Sequence, residues 1–150
     1  VKRKNRAPEK VGVRRPDGTD LSQADYERLA QFRYLLRHFL IFSETAAEQA
    51  GLTPQQHQAL LAIKGHREPQ LLTAGVLAQR LAILPHSAVG LIDRLELKGL
   101  IHRAAVPEDR RRVLVELTGA AEVLLRDLTM AHRDELERLA PLLRSLLRKF

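Results

Sequence analysis

The sequence predicts a mainly α chain with one small β-hairpin, an α+β arrangement with a long helix at each end. Three observations carry that reading. Apolar residues recur at helical spacing after residue 20, first through Leu29, Phe32, Leu35, Leu36, Phe39 and Leu40. Two short runs, "LIHRAA" and "VLVEL", are apolar or β-branched, and Val113, Val115 and Leu117 alternate as strand residues do. Glycines and prolines fall where elements should end or begin, at Gly51, Gly65, Pro85, Gly99 and Pro141.

The elements follow in order. Residues 1–20 hold Lys2, Arg3, Lys4, Arg6, Lys10, Arg14 and Arg15 against Glu9, Asp17 and Asp20, with two prolines and two glycines. They read as a flexible basic arm, either a solvated tail or a segment that touches an anionic partner. Residues 21–150 read as a single domain. The first helix runs from Leu21 to about Gln49. Thr53, Pro54 and Gln56 then make a cap, first-turn proline and capping-box partner for a second helix ending near Gly65, with His57 expected at its surface or boundary. "REPQLL" is a loop running into a short extended piece. Thr73 caps a short helix with Val76, Leu77 and Leu81 inward. After a tight turn at Ala82–Leu84, Pro85 opens another helix with Ala88, Leu91, Ile92 and Leu95 on one face. Gly99 stops it. The stretch "VPEDRRR" is expected to form the hairpin loop. Thr118 then caps a long helix to Ala140, where Pro141 should interrupt it and leave "PLLRSLLRKF" as a separate short helix.

Composition bounds the function. The chain has 150 residues, 45% of them hydrophobic, enough for a real core. Its net charge of +7 and pI near 10.4 attract polyanions, either nucleic acid or an anionic membrane surface. The absence of cysteine excludes disulfides, thiolate zinc sites and thiol nucleophiles, and suits a reducing cytoplasm. No apolar run approaches the ~18 residues of a membrane span. The N-terminal charge has no apolar core behind it, so no signal peptide is expected. No nucleophile elbow, P-loop or Gly-rich dinucleotide turn is present, and the six histidines are scattered. The expectation is a non-enzyme without cofactor or metal.

Two short helices joined by a tight turn and followed by a basic hairpin make a winged helix-turn-helix, here spanning about 53–118. The second helix of the pair would enter a DNA major groove. The hairpin arginines would reach the backbone or minor groove, where negative potential favours arginine. On the groove side stand His86 and Ser87, in the first turn where backbone N–H groups attract phosphate, and Arg94 opposite the apolar stripe. Arg94 either meets a base or phosphate or pairs with Asp93 or Glu96. Lys98 and Arg103 are secondary phosphate candidates. Gly90 stands inside the helix at about 1 kcal/mol relative to alanine, for close approach to DNA or for tight packing within the domain.

The segments "LTPQQHQALLAI", "LAQRLAILPHSAVGLIDRLELKGLIHR" and "DRRRVLVELT" resemble the MarR family of winged-helix transcriptional regulators, over about residues 30–140. The most specific piece is Asp-x-Arg followed after five residues by Leu-Thr, met by Asp109, Arg111, Leu117 and Thr118. The resemblance implies a cytoplasmic homodimer whose terminal helices, about 21–50 and 119–150, interlock while two wings straddle a palindromic operator in double-stranded DNA. It implies Arg111 as the wing arginine and Asp109 as the residue that orients the wing, with Arg110 and Arg112 serving phosphates or solvent. Many such regulators are repressors released by small, often phenolic or otherwise aromatic, ligands. Phe32, His38 and Phe39 are the candidates for such a pocket. Two departures stand out. Leu84 occupies the place where a serine usually caps the recognition helix, and Ala121 replaces the usual glycine three residues after Leu-Thr.

For the dimer, Leu139, Leu142, Leu143, Leu146, Leu147 and Phe150 form an apolar stripe at i, i+3 and i+4 spacing, with Phe32, Leu35, Phe39 and Phe42 comparable on the first helix. Other readings stay open. One is a metal-sensing regulator of the same fold, for which His132 and Glu135 stand three apart. The other is a basic protein-interaction module, or a membrane-surface protein, without sequence-specific DNA binding.

Overall fold

The computed structural model describes residues 21–66, 72–106 and 109–148; for 105–106 and 109–113 the backbone alone is described. The arm (1–20), Phe150 and all of "REPQLL" except Leu72 lie outside them. The order is α1 (Gln23–Gln49), α2 (Pro54–Lys64), α3 (Ala74–Leu81), α4 (Pro85–Leu97), β1 (Ile101–Val106), β2 (Asp109–Leu117) and α5 (Gly119–Leu147).

Local chemistry sets the boundaries. Ser22 opens α1, where the Asp25 carboxylate accepts from its backbone N–H at 2.8 Å and its hydroxyl at 2.7 Å. Thr53 and Gln56 exchange hydrogen bonds across the first turn of α2, satisfying two N–H groups that a helix start leaves free. Thr73 caps α3 and Thr118 caps α5 in the same way. Gly51 and Gly99 adopt positive φ of 76° and 69° just past α1 and α4, a backbone region that suits glycine.

One buried cluster joins the centre to the long helices. It includes Leu52, Leu60 and Ile63 around α2, Leu77 of α3, Leu91, Ile92 and Leu95 of α4, Ile101 and Val115 of the hairpin, and Leu125 and Leu128 of α5. The inward face expected for α4 is borne out, Ala88 included. Leu72 is buried too, and its carbonyl accepts from the Val115 N–H at 3.4 Å.

Four expectations need correction. Pro141 lies inside α5, which runs unbroken to Leu147. Buried Leu139 on one side and Leu143 packed towards α1 on the other hold the helix through it, and the exposed backbone there leaves the lost hydrogen bond open to water. His57 is no surface residue: it is only 3% exposed, because α5 lies over it. The arginine triplet lies within β2 and not in the loop. The antiparallel register is regular from Ile101↔Leu117 to Ala105↔Val113, then slips so that Val106 faces Asp109, which leaves residues 110–112 without paired positions. Finally, Leu139 is buried inside the protomer and not held for a partner, and Phe32, Leu35 and Phe39 line a groove against α5 of the same chain.

Candidate nucleic-acid interface

Helices α3 and α4 meet at 107°. The turn depends on Ala82, which closes α3 in the left-handed region (φ 52°, ψ 39°), and on Pro85, whose fixed φ suits the first position of α4. Leu84 is the N-cap, makes no side-chain capping bond, and stands 62% exposed. His86 and Ser87 are exposed on the first turn of α4, as expected. Arg94 is exposed about two turns further along.

The alternative partners considered for Arg94 are taken by another residue. Asp93 and Glu96 both form ion pairs with Arg103 of β1, whose guanidinium is thereby held more strongly protonated, first by its hydrogen bond to Asp93. Among the described residues Arg94 has no carboxylate partner. The same geometry corrects the expectation for Arg103: it ties the hairpin to α4 instead of standing free for a phosphate. Lys98 donates from Nζ to the Gly51 carbonyl at 2.8 Å and so bridges the end of α4 to the α1–α2 turn.

Gly90 is not packed against the domain. A Cβ built there meets only the Nη1 of Arg94, at 3.3 Å, among the described atoms. At its midpoint the outer face of α4 carries no side chain of its own, and the tip of Arg94 lies across it. The hairpin is anchored at its base: the Thr118 N–H donates to Leu100 O at 3.0 Å and its hydroxyl to Gly99 O at 2.8 Å, while its Oγ1 caps α5. One residue so joins α4, the wing and α5, a physical reason for a threonine after Leu117. His102 and Glu116 pair across the strands at 3.0 Å. The side chains of Asp109, Arg110, Arg111 and Arg112 lie outside the described set.

The other candidates separate. Phe32 and Phe39, with Leu35, Leu36, Leu136, Leu139 and Leu143, line an apolar groove of about 190 Å³ between α1 and α5. His38 is not part of it. It is exposed, with its ring centroid 4.2 Å from that of Tyr34 at a 49° tilt, because it sits about a quarter-turn round α1 from Phe39. His132 and Glu135 are each engaged elsewhere: His132 Nδ1 donates to Leu128 O at 2.7 Å, its Nε2 meets Ser43 Oγ at 2.8 Å, and Glu135 pairs with Arg138. No group of three or more metal-ligating residues occurs among the described residues. Leu142 and Leu147 are exposed, while Leu143 and Leu146 are half-buried. Sequence reasoning missed Val89, exposed on α4. Its signal was a valine outside the 88, 91, 92 and 95 stripe.

A crossed helix pair followed by an antiparallel hairpin on a shared core defines a winged helix-turn-helix protein. The comparisons agree. A MarR family model matches residues 50–112. The HTH-type transcriptional regulator YcgE of Bacillus subtilis is 31% identical over 109 residues, 71% of this chain and 69% of the relative. The HTH-type transcriptional repressor NicR of Pseudomonas putida is 30% identical over 118 residues, 73% and 70%. The chain belongs to the MarR family of transcriptional regulators. Its fold is shared with MepR of Staphylococcus aureus, at a TM-score of 0.67 and 24% identity over 77% of this chain and 82% of that one. A MepR–DNA complex superposes at 0.62 with 22% identity, covering 81% and 85%. No single helix among the described residues is long and apolar enough to cross a membrane.

Proposed function

We propose that the protein is a homodimeric repressor that binds a palindromic operator, α4 of each protomer lying in the major groove and each wing on the flanking DNA. The observation that carries this is the outer face of α4. His86, Ser87 and an Arg94 without a carboxylate partner among the described residues surround a helix surface to which Gly90 adds no side chain, beside a strand that carries Arg110, Arg111 and Arg112. In this reading Arg111 enters the minor groove, Asp109 orients the wing, and Arg110, Arg112 and Lys98 serve phosphates. The names of NicR and of the MepR–DNA complex support DNA as the partner.

The groove at Phe32 and Phe39 is the proposed effector site. Its volume of about 190 Å³ suits one aromatic ring, since cavities near 150 Å³ accept benzene. The dimer follows from apolar surface left over after the protomer has folded: Leu36 and Leu40 on α1, Leu142 and Leu147 on α5.

A mobility-shift titration with genomic fragments selected by the protein tests the function. With at least about six phosphates neutralised, log K falls against log salt with a slope near −5 or steeper. Arg111→Ala weakens the best site by ~1–3 kcal/mol without altering the fold. A flat salt dependence would overturn the DNA reading.

A further inference from the structure

We propose that Val89 reads thymine in the operator through its 5-methyl group; this rests on the DNA-binding reading of α4. Val89 is 45% exposed on a helix whose buried side is formed by Ala88, Leu91, Ile92 and Leu95. Nothing among the described residues accounts for it there. A β-branched residue is a poor helix former, and an exposed one returns little packing.

Its place on the helix gives it a use. At 3.6 residues per turn, His86, Gly90 and Asp93 point away from the core, with Val89 on one flank and Ser87 and Arg94 on the other. Val89 is the fifth residue of α4, about 6 Å from its start, within the N-terminal part that meets base edges in this class of motif. Leu97 is 90% exposed, but lies about 18 Å along and outside that reach.

An isopropyl group is short, and a long neighbour would hold the helix off the bases. Gly90 adds no side chain on that line, and the flexible tip of Arg94, which lies over it 3.3 Å from where a Cβ would stand, swings aside to meet a phosphate. The carboxylate of Asp93, next along the outward line, is paired with Arg103 and so presents less repulsion to DNA. The apolar feature on the major-groove floor is the thymine methyl, and the outer face of α4 carries no asparagine or glutamine to read adenine by paired hydrogen bonds. An exposed aliphatic flank beside Gly90 therefore selects thymine where it lands.

The test uses the full-length protein and a duplex chosen by selection from genomic fragments. Each thymine is replaced in turn by deoxyuridine, which removes the methyl group and keeps the base-pairing edge. For the wild-type protein one thymine per half-site weakens binding about three- to fourfold on replacement, and about tenfold when both half-sites carry it, the value of one buried methyl-sized group. Val89→Ala loses the same factor on the natural site and becomes indifferent to deoxyuridine at that position. Its thermal midpoint is unchanged or raised, because alanine is the better helix former. Wild-type binding indifferent to deoxyuridine at every position overturns the proposal, as does methyl sensitivity that survives in Val89→Ala. Failure of the underlying reading looks different: no duplex is retained at all.

Discussion

The imidazole rings of His57 and His132 lie 4.8 Å apart, centroid to centroid, where α2 meets α5. From α1, Phe39 and Phe42 present their rings to His132 at 5.9 and 5.3 Å, and Ser43 bonds its Nε2. Nδ1–H of His132 donates to Leu128 O, and Nε2 meets the Ser43 hydroxyl. This cluster joins α2 to the long helices α1 and α5, and among the described residues no carboxylate pairs with either ring.

That geometry makes the fold acid-sensitive. Burial, and secondly the charge of His132, lower the His57 pKa below its usual 6.5. The unfolded chain therefore binds a proton that the folded chain resists. Stability is full above about pH 6.5 and is lost as pH falls through the window below it. Urea midpoints measured from pH 7.5 to 5.0 should fall in the wild type and fall less in His57→Gln, whatever that variant's absolute stability. Equal slopes for the two proteins would remove His57 as the cause.

Arg103 is a positioning residue. It holds Asp93 and Glu96 against β1, so Arg103→Ala frees two carboxylates beside the proposed groove face and loosens the wing. Operator affinity should drop more than tenfold, beyond the loss of one exposed charge. Arg103→Lys should recover part of it, because an ammonium makes the charge but not the two-sided fork. A variant that binds DNA like the wild type would show that the bridge is incidental.

Ala82 carries a left-handed backbone at the α3–α4 turn, which costs an L-residue roughly 1–2 kcal/mol. Ala82→Gly removes that strain and regains part of it as unfolded-chain entropy. The expected net gain is about 0.5–1 kcal/mol, read from the urea midpoint at unchanged m-value. A lower midpoint would mean that the methyl group packs in the turn.

The proposed dimer is tested by Leu36→Asp with Leu147→Asp. Both side chains are exposed in the protomer, so the fold should survive. Light scattering at micromolar concentration should show monomers, and operator binding should collapse because the two recognition helices are no longer held one DNA turn, roughly 34–36 Å, apart. Dimers persisting in the double variant would place the two-fold axis elsewhere.

Local chemistry alone determined much of this protein. Thr53, Thr73 and Thr118 start their helices by capping, Gly51 and Gly99 take positive φ just past theirs, and the inward stripe of α4 is set by the 3.6-residue period, so each was legible from a few neighbouring residues. Tertiary structure decided the rest. Pro141 is a local stop signal worth ~3 kcal/mol, yet packing at Leu139 and Leu143 carries α5 through it. His57 looked like a boundary residue because its cover, His132, is 75 positions away. Arg103 looked like a free cation because its two acids lie on another element. Phe32 and Phe39 looked available to a partner until α5 of the same chain closed on them. Periodicity tells which side of an element is apolar. What covers that side depends on contacts between residues far apart in sequence, and no local pattern encodes them.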